Sequence, residues 1–91
     1  MCRNIKLLFN FQPPTTNEEI RAASLQFVRK VTGFNKPSQA NEAAFLAAVQ
    51  QITAISATLL NSLATDAPPK SREEEAAKAR LRYVQRLRES P

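Results

Sequence analysis

Histidine and tryptophan are absent from this 91-residue chain, and cysteine, glycine, methionine and tyrosine occur once each. Each gap closes off a chemistry. Without histidine there is no side chain that titrates near neutrality to act as general base, and the commonest metal ligand is missing. Ser–His and Cys–His nucleophile pairs go with it. A single glycine excludes a glycine-rich phosphate loop. A single cysteine excludes an intrachain disulfide, yet a chain this short buries only roughly 60–65 % of its unfolded surface. Stability therefore has to come from well-packed helices or from association. Charge is missing locally: residues 37–66 hold no Lys or Arg and only Glu42 and Asp66, whereas residues 1–36 carry six basic and two acidic groups and residues 67–91 seven and four.

No stretch reads as long enough to span a membrane, and Leu7, Leu8 and Phe9 are too few for the apolar segment of an export signal before Asn10 interrupts them. With a lone thiol suited to a reducing compartment, these readings place the chain in the cytoplasm with no membrane partner.

The punctuation of Pro13-Pro14, Gly33, Pro37 and Pro68-Pro69 predicts one all-α domain over residues 1–91. It has an N-terminal arm (1–15), helices over about 16–32, 39–63 and 72–88 in a three-helix bundle, and a proline-containing linker (64–71) before the last helix. The first helix begins at Thr16, with Glu19 closing a capping box. Ile20, Ala23, Ser24, Phe27, Val28 and Val31 form its apolar stripe. Gly33 ends it in the left-handed conformation, with Phe34 folding back on Val28 as in a Schellman ending. Ser38 or Asn41 caps the second helix, whose apolar face runs through Phe45, Val49, Ile52, Ile55, Leu59, Leu60 and Leu63. Ser71 caps the third, with Glu74 three residues on, and Glu73, Glu74 and Glu75 sit where the helix dipole favours negative charge. Its stripe of Ala77, Leu81, Val84 and Leu87 is the thinnest, so this helix is expected to be the least firmly docked. The expected core is Ile20, Phe27, Val31, Phe45, Ile52, Leu59 and Leu63. Residues 3–12 fit either a strand or a helical turn. Because a solitary strand has no partner in a helical domain, a short helix or an extended arm is favoured, with an arm exchanged across a dimer as the alternative.

The second helix also has a face without charge, containing Ala47, Gln50, Gln51, Ala54, Ala57, Thr58 and Asn61. Helices with one side in water usually display Lys and Glu there, so this face is read as a homodimer interface. Glu18-Glu19 and Glu73–Glu75 are paired carboxylates, but first-turn placement accounts for both without acid–base catalysis. Cys2 would become an N-terminal thiol beside an amine if Met1 is removed, a candidate for metal or thiol chemistry, although one cysteine makes no complete site. Lys78, Arg82 and Arg86 recur at four-residue spacing on the third helix, and Arg29, Lys30 and Lys36 gather near the end of the first. A polyanion would relieve the repulsion among them. Phe27 and Phe45 are assigned to apolar faces, leaving Tyr83 to stack on a base.

The opening MCRNIK, the EEIRAA segment (18–23), LQFVRKVTGFNKPS (25–38), AAFLAAV and APPKSRE (67–73) together resemble a family of small bacterial proteins known only as a domain of unknown function. The resemblance covers nearly the whole chain, is most specific in its first two thirds, and includes Cys2, Arg3 and Asn4. It implies a bacterial, cytoplasmic, one-domain protein and supplies no activity, substrate or catalytic residue. The leading expectation is a non-enzymatic interaction or structural module, homodimeric and without cofactor or small-molecule substrate. The alternatives are a nucleic-acid-associated basic protein and a thiol or metal function at Cys2.

Overall fold

The computed structural model describes residues 5–89. Their order is β1 (Phe11–Gln12), α1 (Asn17–Thr32), a 3₁₀ turn (Gln39–Asn41), α2 (Glu42–Ser62), β2 (Lys70–Ser71) and α3 (Arg72–Glu89). The chain is mainly helical, with three helices where the sequence places them.

Local chemistry sets the helix ends. The Thr16 hydroxyl accepts from the Glu19 N–H at 3.2 Å, and the Glu19 carboxylate accepts from the Thr16 N–H at 3.0 Å, the reciprocal capping box. Gly33 closes α1 at φ 75°, its N–H donating to the Arg29 carbonyl at 2.9 Å. That single bond is the simpler left-handed ending rather than the Schellman form expected. Phe34 is exposed instead of folded on Val28, because its N–H is held by the Thr32 hydroxyl at 3.2 Å. Neither Ser38 nor Asn41 makes a side-chain cap to the second helix. Asn41 spends its amide on the Ser38 hydroxyl at 2.9 Å. At α3 the Ser71 hydroxyl accepts from the Glu74 N–H at 3.3 Å.

Helices α1 and α2 form a hairpin. Val28 packs with Phe45 and Val49 at one end, and Ile20 lies near Leu60 at the other. The buried set is Ile20, Ser24, Val28, Phe45 and Val49. On α1 these fall four apart, a single ridge, and small Ser24 satisfies its hydroxyl on the Ile20 carbonyl at 3.0 Å. The core expected from the sequence is corrected here: Phe27 (46 % exposed), Val31 (65 %), Leu59 (55 %) and Leu63 (46 %) lie outside it. Contact between two helices buries a strip one ridge wide. The wider faces read from the sequence would need a third rod laid along the pair, and α3 is not laid there: from Lys78 to Glu89 every residue is exposed. The chain is accordingly flat and open, with a radius of gyration of 16.1 Å against about 12 Å for a compact chain of this length.

The arm occupies part of the space a third rod would take. Residues Ile5–Phe9 run without helix along the α1/α2 groove, and Leu8 and Phe9 are half-buried there. The Thr15 hydroxyl donates to the Leu8 carbonyl. The arm is extended, as one of the two readings had it, but the assumption that a strand would find no partner is overturned. Phe11 and Gln12 pair in parallel with Lys70 and Ser71 of the segment read as linker.

Residues 39–62 form a helical stretch long and apolar enough, by length and composition, to cross a membrane. This corrects the expectation that no such stretch exists. Gln50, Gln51, Thr53, Thr58 and Asn61 divide the run into short apolar pieces without adding charge, so counting consecutive apolar residues misses it.

Candidate interaction surface

Arg72 positions everything around the base of α3. Its guanidinium makes two parallel hydrogen bonds to the Glu19 carboxylate, 2.8 Å from Nη1 to Oε2 and 2.9 Å from Nη2 to Oε1. Nε donates to the Pro13 carbonyl at 3.1 Å and Nη2 to that of Pro14 at 3.2 Å. The Phe11 ring lies under it, 5.6 Å from Cζ to the centroid. Planarity and a fixed fork of donors let one arginine serve a carboxylate, two carbonyls and an aromatic face together. The guanidinium, with the Thr16 N–H, holds the Glu19 carboxyl down at about 2, and the carboxylate in turn raises the Arg72 pKa. Asn10 completes the junction. At φ 65° it adopts the left-handed conformation, which asparagine tolerates better than most residues. Its amide donates to the Ala67 and Pro68 carbonyls at 3.3 and 3.2 Å, and its own carbonyl accepts from the Lys70 N–H at 2.7 Å. With its donors committed to these partners, the junction reads as architecture rather than as a ligand site.

The α2 surface is different. Of the uncharged face named from the sequence, Ala47, Gln50, Gln51, Ala54, Thr58 and Asn61 are exposed and Ala57 is half-buried. Helical geometry puts Leu46 on one flank of that face and Ile55 and Leu59 on the other, all three exposed, Ile55 at 70 %. Gln50, Ala54, Ala57 and Leu46 line an open groove of about 590 Å³ against Asn17, Glu18 and Arg21 of α1. Three hydroxyls of this helix turn back along it: Thr53 donates to Val49, Thr58 to Ala54 and Ser62 to Thr58, each to the carbonyl four residues back. Such polar groups are already satisfied and can be covered by an apolar partner without leaving a donor unmade. A second groove of about 380 Å³ lies on the other side of the hairpin, between the arm and Phe27, Ile52 and Leu59.

The basic residues do not gather in one place. Arg29 is ten residues along α1 from Glu19, about 15 Å of helix, and its Nε donates to the Asn35 carbonyl at 3.1 Å. Lys30 and Lys36 are exposed near it. On α3, Lys78 sits 3.6 Å from Glu75, Arg82 is exposed, and Arg86 is engaged by a neighbour. Aromatic exposure also differs from expectation, since Phe27 and Phe34 join Tyr83 on the surface. Among the described residues no three His, Cys, Asp or Glu gather as a metal site. Cys2, with Arg3 and Asn4, lies outside those residues. Sequence reading missed Arg72, Phe11 and Asn10. One signal was available: a basic residue at the first position of a helix opposes the dipole, so Arg72 needed another reason to be there.

A protein-family model described as "Uncharacterized conserved protein (DUF2277)" matches residues 1–78. No curated protein and no solved structure matches the chain.

Proposed function

We propose, for a chain that belongs to the DUF2277 family of uncharacterized conserved proteins, that it works as a non-enzymatic helical interaction module and associates with a second copy of itself through α2. The supporting observation is the unused surface of that helix: of its 21 residues only Phe45 and Val49 are buried, and residues 43–65 contain no ionisable side chain. An uncharged face can be laid against its own copy about a two-fold axis without like charges meeting. The chain exposes 7502 Å², whereas a compact monomer of its mass exposes roughly 5,300 Å². That excess, spread over α2, α3 and the arm, is larger than the roughly 800 Å² per partner of an ordinary interface.

Ala47, Gln50, Gln51, Ala54, Ala57, Thr58 and Asn61 form the centre of the contact and Leu46, Ile55 and Leu59 its flanks. Sedimentation velocity at micromolar concentration tests it. A dimer is expected for the parent chain and a monomer for Ile55→Glu. A parent chain that stays monomeric at high concentration overturns the reading.

Nucleic-acid association is the second reading, supported by the exposed Lys30, Lys36 and Arg82. Binding through them should weaken steeply with salt, and failure to retain mixed DNA and RNA at low salt removes it.

A further inference from the structure

Helix α3 is anchored at one end and free of the hairpin at the other. Arg72, Ser71 and the β1/β2 pairing fix its base, while each residue from Lys78 to Glu89 is exposed, with Ala79 and Arg82 bordering an open groove toward the arm. Charge is divided along its length. Glu73, Glu74 and Glu75 stay in the first turn beside the junction, and residues 76–89 then carry five basic side chains (Lys78, Arg80, Arg82, Arg86, Arg88) against Glu89 alone. At 100° per residue, Ala77, Leu81 and Val84 make one line with Leu87 and Tyr83 beside it. Leu81, Tyr83, Val84 and Leu87 are all exposed. Lys78, Arg82 and Arg86 face the other way. Arg80 and Arg88 interrupt the apolar line, but their long aliphatic stems can lie along it while the guanidinium groups reach outward.

We infer that α3 is an interfacial helix that lies on an anionic phospholipid surface, with Leu81, Val84 and Leu87 at the acyl boundary and the basic side chains among the headgroups. Two observations select this occupant. A nucleic acid would answer the positive charge and leave the apolar line in water. A second α3 would cover the apolar line and bring two strongly basic helices together. A negatively charged bilayer surface meets both faces of the helix at once. The inference stands on α3 and is independent of self-association through α2.

The only tyrosine of a chain without tryptophan, Tyr83, sits on this helix, so native fluorescence reports on α3 without labelling. The full chain is mixed with phosphatidylglycerol vesicles and, separately, with phosphatidylcholine vesicles. Co-sedimentation and acrylamide quenching of Tyr83 are then measured. Binding to the anionic vesicles alone, weakened by salt and accompanied by protection of Tyr83, is the expected result. Arg80→Glu/Arg82→Glu should lower affinity at least about twenty-fold, since each basic residue near such a surface is worth roughly five-fold. Leu81→Gln/Val84→Gln should lower it too, with Tyr83 again open to the quencher. Both variants alter exposed residues and should keep the parental circular dichroism. Equal binding to both vesicle types would move the contact to the apolar surface of α2 and overturn the inference. So would no binding to either, or retention of an oligonucleotide that survives Leu81→Gln/Val84→Gln while Tyr83 stays quenchable.

Discussion

Arg72 and Glu19, fifty-three residues apart in sequence, meet through two parallel hydrogen bonds of 2.8 and 2.9 Å. The carboxylate that locks the start of α1 is the one that receives the start of α3, so one side chain couples two helix caps. Lysine at position 72 would keep the charge and lose the fork. Arg72→Lys is expected to release the arm and the base of α3 while the hairpin stays folded. Hydrogen exchange should show the Lys70 amide losing protection with little change at Val49.

Acid should act on the same pair. Glu19 has its folded pKa lowered to about 2 from an ordinary 4.5, so the folded state binds its proton less readily than the unfolded state does. The stabilisation is complete above about 4.5 and is lost as pH falls toward 2. Urea midpoints measured across that window should fall, and Glu19→Gln, which carries no titrating carboxylate, should give a flatter profile over the same range.

At Gly33 the cost of substitution is conformational. A methyl group placed there would meet nothing within 4 Å, yet φ is +75°. Gly33→Ala should therefore cost about 1–2 kcal/mol and Gly33→Val more, while Gly33→Asn is nearly tolerated. The ordering Asn, Ala, Val in urea titration checks it. Equal stability of Gly33→Val and the parent would show that α1 ends in some other way.

Among the described residues Val49 is the one side chain with no exposure at all, packed with Val28 and Phe45. Val49→Ala should cost about 2 kcal/mol. Substitution of exposed Val31 by alanine should change stability by less than about 0.5 kcal/mol. Thermal melts of the two variants separate the observed core from the wider one that helical periodicity suggests.

The elements that sequence alone disclosed are those whose determinants lie within four residues of one another. Thr16 with Glu19, Gly33 with Arg29, and Ser71 with Glu74 each encode a helix end locally, and the helix bounds follow closely. Burial was less legible because it depends on which ridge meets which. Periodicity identified the apolar side of α1 but could not choose Val28 over Phe27 without knowing that only one helix crosses it. The arm's partner was invisible, since nothing in Phe11-Gln12 or Lys70-Ser71 announces the other. The uncharged α2 face is legible because the absence of Lys, Arg, Asp and Glu from residues 43–65 is visible in the sequence itself, whereas what covers that face is not encoded locally.

The register of Phe11 with Lys70 and Gln12 with Ser71 has a kinetic consequence. Pairing positions so distant closes a loop around most of the chain, and that entropy is recovered cheaply only after the hairpin has drawn the two segments together. The arm junction is thus assembled last and opens first: weakening it accelerates unfolding and leaves the folding rate nearly unchanged.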